Sequence, residues 1–492
     1  MSFSIFNTLG REVQEFKSIR PGEVGFYACG PTVYNYAHIG NLRAYVTHDV
    51  LARVLRRRGF KLTHVMNITD VGHLTGGDDG DDKMVKSAEE RGKSVLEVAE
   101  FYTKAFFNDA ERLNIARPDV VCKATEHIEE MIALTGRIEA SGCTYQAGGN
   151  LYFDIARFPR YAELARLKID ALQAGSRVEL DGNKRNPEDF VLWFTKSKFA
   201  NQALVWDSPW GKGYPGWHIE CAAMSMKYLG EQFDVHAGGI DHIQIHHSNE
   251  IAEAESATGK HPWVRYWVHN EFLVLGGKGK MSKSSGGFIT LQNLIDEGFD
   301  ALDYRYFLLG GHYRTQLQFS HESLSGARNA RASLASLLGG LAERAGVGVD
   351  ELVGRAVGGK AASYLASFDA ALDDDVNVPR ALASLWGVVK DADVPPEDAL
   401  AAAFDMDGVL GLRLAEGLAK TTEGCCEDGA LVAEVAALIV ERTEAKKAKD
   451  FAKADLIRDS LRARGIALED RPGRTEWRRI ADKKLWAKAA QD

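Results

Sequence analysis

An open α/β fold built on a mostly parallel sheet is the class this sequence predicts, and three observations predict it. An apolar run, Val24-Gly25-Phe26-Tyr27-Ala28-Cys29, reads as a buried strand closed by Gly30-Pro31. A helical pattern follows, carrying Leu42, Tyr45, Val46, Val50, Leu51, Val54 and Leu55, and ends in the basic turn Arg56-Arg57-Arg58 before Gly59. A second strand pattern, Lys61 to Ile68, completes a strand–helix–strand unit, whose two strands run parallel. In such sheets ligands sit beyond the carboxyl ends of the strands. Cys29, the loop containing His38, and Thr69-Asp70 all fall there.

The remaining elements follow in order. Residues 71–82 are rich in Gly and Asp and form an exposed excursion, and helical patterns resume over 83–113. From 118 to 198 a helix at 127–141 is mixed with a short strand at 151–154; this is an insertion between two halves of the sheet, the first half spanning 1–117. The segment Phe233-Asp234-Val235-His236, ending at Gly238-Gly239, resumes the α/β pattern in a second half, 199–270. A Gly/Ser/Lys-rich loop marks 271–320. The Ala- and Leu-rich stretch 321–415 predicts a helical bundle, the Gly/Cys/Thr-rich stretch 416–429 a linker, and 430–492 a small basic terminal region.

Composition narrows the class of protein. At 492 residues the chain exceeds what a single core supports, about 250–300 residues, so several domains are expected. Apolar content of 45% and charged content of 26% are ordinary for a soluble globular protein. No run of about 18 apolar residues occurs, so no membrane span is predicted. The first residues lack a basic stretch followed by an apolar one, so no signal peptide is read and a cytoplasmic location is expected. Six cysteines (Cys29, Cys122, Cys143, Cys221, Cys425 and Cys426) include no CxxC pair and do not make a disulfide framework. Each, taken alone, reads as a small buried hydrophobe. The net charge of −9 excludes a surface that is basic all over. From Arg442 to Lys488, however, there are fifteen Lys/Arg against eight Asp/Glu. That basic end fits one localised polyanion contact, and equally a solvated helix with paired charges.

Two segments carry phosphate chemistry. His38-Ile39-Gly40-Asn41 stands in the loop that opens the first helix, where unpaired N–H groups and the dipole suit a phosphate. Gly40 lets a flat base approach the backbone. Lys280-Met281-Ser282-Lys283-Ser284 lies between Gly276-Gly277 and Gly286-Gly287. Two lysines on a glycine-flanked loop can close over a polyphosphate and neutralise charge that develops during phosphoryl chemistry. Alone, each segment is also compatible with an ordinary surface histidine or a solvated basic loop.

As an ordered pair the two segments resemble the signatures of class I aminoacyl-tRNA synthetases, with Asn41 in place of the second histidine of the first signature. Further segments are similar to the cysteine-specific members: Cys29-Gly30-Pro31-Thr32-Val33-Tyr34, Gly216-Trp217-His218-Ile219-Glu220-Cys221, His236-Ala237-Gly238-Gly239-Ile240-Asp241-His242, and His246-His247-Ser248-Asn249-Glu250. The likeness runs the full length, through Asp373-Asp374-Asp375 to Thr475-Glu476-Trp477-Arg478-Arg479.

The resemblance implies a Rossmann-type catalytic domain with an insertion, followed by an α-helical bundle and a C-terminal region that binds the anticodon. It implies activation of L-cysteine with ATP and magnesium, then transfer to tRNA(Cys), by an enzyme expected to be a monomer. One zinc per chain would be held by Cys29, Cys221, His246 and Glu250, the last two spaced i,i+4 on one helix face. Zinc binds a thiolate strongly and an alcohol poorly, so serine would be rejected without an editing domain. Catalytic roles fall to His38, Asn41, Lys280 and Lys283, with Gly40, Gly238, Gly239 and Ser282 added for ATP. Thr69, Trp217, His236 and Asp241 would line the cysteine pocket. Asp470, Trp477, Arg478 and Arg479 would meet the tRNA. Two rivals share the scaffold: a ligase that passes cysteine to a small amine and needs no tRNA-binding end, and a non-catalytic binding paralogue.

Overall fold

The chain begins with a short antiparallel hairpin, β1 (Ser4–Asn7) with β2 (Glu12–Glu15). Then come β3 (Glu23–Ala28), helix α1 (Ile39–Arg57) and β4 (Lys61–Ile68), the expected strand–helix–strand unit. β3 and β4 pair in parallel from Glu23↔Lys61 to Ala28↔Met66. The apolar side chains of α1 recur at helical spacing and are buried, among them Leu42, Val46, Val50, Val54 and Leu55. Each such burial contributes roughly 1.5–3 kcal/mol relative to exposure, and together they hold α1 against the sheet. This computed structural model describes residues 2–71, 83–166, 182–196, 204–276, 279–280, 288–419, 429–448, 450–471 and 474–479. Most of the Gly/Asp-rich excursion (72–82) and most of the linker lie outside the described residues.

Helices α2 (Lys83–Arg91) and α3 (Val95–Arg112) follow, and β5 (Val120–Lys123) pairs in parallel with β4. Residues 120–123 are therefore the edge of the central sheet, although the sequence pattern put them inside the insertion. The strand is four residues long with one buried side chain, too short to show a period. The insertion proper consists of α4 (Ile128–Ala140) and an antiparallel sheet of β6 (Thr144–Ala147), β7 (Asn150–Phe153), β8 (Phe190–Phe194) and β9 (Tyr214–Pro215), in that order. It thus reaches past 198 to residue 215.

The chain then returns to the first sheet through α5 (Trp217–Leu229), β10 (Phe233–Gly239), α6 (His246–Thr258) and β11 (Val264–Asn270). The order across this parallel sheet is β11-β10-β3-β4-β5. From β3 the chain crosses one way and from β10 the other, so a crevice opens beyond the ends of these two neighbouring strands.

A second small sheet, order β13-β12-β14, is made of β12 (Leu273–Leu275), β13 (Gly279–Lys280) and β14 (Leu317–Phe319). Between β13 and β14 stand α7 (Leu291–Asp296) and α8 (Ala301–Leu309). The expected bundle comprises α9 (His321–Ala345), α10 (Gly359–Asp373), α11 (Val378–Lys390) and α12 (Pro396–Leu410). Ion pairs join it to the basic turn of α1: Arg57 to Asp369 and Asp405 at 2.7 and 2.6 Å, and Arg58 to Asp373 at 2.7 Å. All of this belongs to one compact unit, Met1–Leu414.

The second unit, Ala415–Asp492, contains α13 (Gly429–Lys447), α14 (Phe451–Ala463) and an antiparallel hairpin of β15 (Ile466–Arg471) with β16 (Arg474–Arg479). Val435, Ile457, Leu461 and Ile466 form its buried cluster. Among the described residues no helix is long and apolar enough to cross a membrane.

Candidate active site and metal centre

A cavity of about 1010 Å³ opens at the switch point of the parallel sheet. Its walls include Cys29 from the end of β3, His38, Gly40 and Asn41 from the start of α1, and Thr69 beyond β4. Trp217 and Cys221 of α5, Gly238 and Gly239 of β10, Asp241 and His246 complete the expected set that reaches it. One chamber therefore joins the first signature to the cysteine-bearing residues. His236 and Glu250 do not line the chamber; both are fully buried behind it.

His38 is the N-cap of α1. Its Nδ1 accepts the Asn41 N–H at 3.0 Å, and Asn41 Oδ1 accepts the His38 N–H at 3.2 Å, a reciprocal capping box. The first turn holds no acidic side chain, so the positive end of the helix is left for an anionic ligand. The residues that bracket 281–287 are anchored nearby. Lys280 lies on β13, paired with Val274. Thr290 bridges to His38, the Ile39 N–H donates to Ile289 O at 2.8 Å, and the Phe288 ring sits edge-on to His38 at 5.8 Å. Ser282 and Lys283 lie outside the described residues.

Two glycines are required sterically. A Cβ on Gly30 would lie 1.6 Å from the Asn67 carbonyl oxygen. The Gly30 N–H donates to Asn67 Oδ1 at 2.8 Å, and Asn67 Nδ2 donates to Thr69 Oγ1 at 3.0 Å, so this close approach sets the Thr69 hydroxyl at the cavity wall. A Cβ on Gly238 would come within 2.7 Å of both the His242 and His247 rings.

At the inner wall of the cavity, ligand atoms of Cys29, His246, His247 and Glu250 lie within 4.8 Å of one another, all buried. Trp217 stacks on the His246 ring at 4.4 Å. His246 and Glu250 occupy successive turns of α6, with His246 Nε2 3.0 Å from Glu250 Oε1. The Cys221 thiol neighbours the Cys29 sulfur. Burial would raise the Cys29 thiol, but the Cys221 hydrogen bond, the His247 charge and hydrogen bonds with His242 and His246 outweigh it and hold Cys29 well below the usual thiol range. The bond to Cys29 and burial push Cys221 up.

Burial also drives Glu250 well above the carboxylate range. Its Oε2 is 2.8 Å from His236 Nε2, and its buried Oε1 faces His246 Nε2 at 3.0 Å without hydrogen-bond geometry. One thiol, two imidazoles and a carboxylate thus come together here, with His247 where the expected ligand set has Cys221, and a divalent cation would offset the burial of their negative charge.

The sequence placed His236 in the cysteine pocket. In the fold it is a fully buried support, stacked on Trp267 at 4.6 Å and hydrogen-bonded to Glu250. His247 was not singled out, yet its Nε2 lies 3.4 Å from the Cys29 sulfur and its Nδ1 2.7 Å from His269 Nε2. The His246-His247 pair was the visible signal, but adjacent helical residues normally point apart. In the second unit, Asp470 is on β15 and Trp477, Arg478 and Arg479 are on β16.

Comparisons with known proteins agree with this architecture. Residues 15–329 match the family model "tRNA synthetases class I (C) catalytic domain", and residues 428–478 match "Cysteinyl-tRNA ligase anticodon binding domain". The chain is 57% identical to a cysteine–tRNA ligase of Treponema denticola, covering 98% of this chain and 100% of the relative. It is 46% identical to cysteine–tRNA ligase 1 of Burkholderia lata, covering 96% of each. Among solved structures, methionyl-tRNA synthetase of Mycobacterium tuberculosis in complex with methionyl-adenylate shares the fold, with a TM-score of 0.54 at 17% identity over 82% of this chain and 93% of that one. With both regions matched and near end-to-end identity to curated relatives, the chain belongs to the cysteine–tRNA ligases, a family of class I aminoacyl-tRNA synthetases.

Proposed function

We propose that this ligase selects its amino acid through one zinc ion held by Cys29, Cys221, His246 and Glu250. The activity itself is that of the family: cysteine is activated by ATP and joined to tRNA. The observation that supports the metal reading is the buried cluster of thiol, imidazole and carboxylate donors, whose ligand atoms lie within 4.8 Å of one another. When bound, the ion supplies a coordination site that a substrate thiolate fills and a serine hydroxyl does not.

The chain's own residues do the rest. His236 holds Glu250 from behind, and the ring contact of Trp217 fixes His246. Thr69 and Asp241 present polar groups at the cavity wall for the ammonium and carboxylate of the amino acid. The cysteine carboxylate attacks the ATP α-phosphorus, the bond to the bridging oxygen breaks, and pyrophosphate leaves with its magnesium. His38, Asn41, Lys280, Ser282 and Lys283 take the charge that builds on the phosphates, and Gly40, Gly238 and Gly239 admit the nucleoside. The terminal tRNA hydroxyl then attacks the acyl carbon and AMP departs. Neither step requires a protein nucleophile. Asp470, Trp477, Arg478 and Arg479, on the terminal hairpin, would meet the anticodon end of tRNA(Cys). We read the enzyme as a cytoplasmic monomer divided into a catalytic body, an insertion, a bundle and an anticodon-binding end.

Elemental analysis of the purified protein should find one zinc per chain, and Cys221→Ser should lose it while His247→Asn keeps it. Metal-free protein that activates cysteine at the full rate would overturn the reading. Retention of zinc by Cys221→Ser with its loss in His247→Asn would replace Cys221 by His247 in the ligand set.

A further inference from the structure

We infer that Arg43 is the positioning residue that holds the Lys280-bearing hairpin in register with the phosphate-binding start of α1. The inference rests on the roles given above to His38, Asn41 and Lys280, and adds a residue that touches no substrate.

Arg43 follows Asn41 by two positions on α1 and is 2% exposed. Its guanidinium donates to three main-chain carbonyls. Nη1 reaches Phe272 O, and Nη2 reaches Thr315 O and, at 3.3 Å, His312 O. Phe272 immediately precedes β12, whose pairing with β13 carries Lys280. The turn at 312–315 leads into β14, the other neighbour of β12. The Leu317 N–H donates to the same Phe272 oxygen at 3.1 Å, and the Glu271 N–H donates to Tyr313 O at 2.8 Å. One side chain of α1 thus gathers the roots of two strands of the small sheet.

The far side of residues 281–287 is tied to the same helix. Ile289 O accepts the Ile39 N–H at 2.8 Å, and the Tyr304 hydroxyl donates to Ile39 O at 2.7 Å. Both brackets of the lysine segment are therefore fastened within residues 38–43, the stretch that also forms the phosphate-binding cap.

The cost of this arrangement argues for a purpose. No described carboxylate lies within ion-pair distance of Arg43, and burial pushes its guanidinium down to about 10. Val46, Val50 and Leu309 line a small cavity of about 30 Å³ beside it, and Tyr304 and Glu271 offset the burial only in part. A methionine or leucine would be cheaper to bury there. Only a planar fork can reach three carbonyls on two segments at once; a lysine radiates its donors from a single nitrogen. What the arginine gains over an apolar side chain is registry between the helix start and the hairpin.

The test is a double-mutant cycle on the full-length, zinc-loaded enzyme, with Arg43→Lys, Lys280→Ala and the pair, read as the pre-steady-state rate of cysteinyl-adenylate formation. Arg43→Lys should lower the rate about 10–100-fold, since a misplacement of about 1 Å costs up to about 100-fold. ATP and cysteine KM should move less than about threefold. The double variant should be no slower than Lys280→Ala alone, because both changes remove one contribution. Losses that multiply in the double variant, or a fall in rate matched by rising KM for both substrates, would show a general structural role and overturn the inference. Arg43→Gln, which cannot bridge three carbonyls, is the second variant. If it forms adenylate at the wild-type rate, the inference is wrong whether or not Arg43→Lys folds.

Discussion

His38 and Asn41 cap each other: each side chain accepts the other's backbone N–H, at 3.0 and 3.2 Å, across the first turn of α1. A residue that departs from the usual family signature is thus built into the same box that orients its histidine. Asn41→Ala should cost about 1 kcal/mol in urea unfolding, the usual magnitude for a lost cap acceptor. It should slow adenylate formation as well, because His38 loses the partner that fixes its backbone. An unchanged unfolding midpoint together with an unchanged rate would remove Asn41 from both roles.

Lys283→Ala should slow adenylate formation about 100–1000-fold while leaving cysteine binding nearly unchanged, as expected for a group that acts where charge develops. Burst kinetics over a range of cysteine concentrations checks this. Equal losses in binding and rate would mean that the lysine serves the ground state.

Acid stability should report two buried imidazoles, His64 and His48. Burial holds His64, which stacks on Phe26 at 4.5 Å, at about 4, and His48 at about 3. Above the unfolded value, near 6.5, both rings are neutral in either state and cost nothing. As pH falls from about 6.5 toward 4, the unfolded chain takes up protons that the folded chain refuses. Stability should then fall by about 1.4 kcal/mol per pH unit for each group. In His64→Phe the slope of unfolding free energy against pH should be shallower by about one proton. An identical slope in wild type and variant would show that His64 titrates normally in the fold.

Ending the chain after Leu414 removes the whole second compact unit. Cysteine-dependent pyrophosphate exchange should survive, since the proposed zinc ligands, His38 and Lys280 all precede that point. Charging of tRNA should collapse, and the salt dependence of tRNA binding should flatten as phosphate contacts are lost. A folded truncated protein that charged tRNA at the full-length rate would leave the terminal region without a tRNA role.

The sequence made β3, α1 and β4 visible because the carboxyl-terminal half of each strand is buried on both faces, as is one full stripe of the helix, which leaves continuous apolar patterns. β5 escaped notice for the opposite reason, being four residues at a sheet edge. The terminal hairpin reads as a charged tail, because Ile466–Arg471 and Arg474–Arg479 carry Glu, Asp and Arg where a core strand would carry apolar residues. In the candidate site, helical spacing puts His246 and Glu250 on one helix face, but no spacing links Cys29 to Cys221, since only the closing of the sheet brings β3 beside α5; the ligand set as a whole came from family resemblance. The supporting place of His236 and the approach of His247 to Cys29 depend on the packing of β10 against α6, which no local pattern encodes.

The Cys29 sulfur and the His247 ring that approaches it at 3.4 Å stand 218 residues apart along the chain. At a synthesis rate of about 5–20 residues per second, the thiol leaves the ribosome on the order of 10–40 s before that imidazole exists. During that interval β3, α1 and β4 can pair, but the pocket has only one wall. A nascent chain stalled before α6 therefore holds Cys29 and Cys221 without the imidazoles and carboxylate that enclose them in the finished fold. The switch-point topology that makes the mature site so enclosed also makes its completion a late event in the birth of the protein.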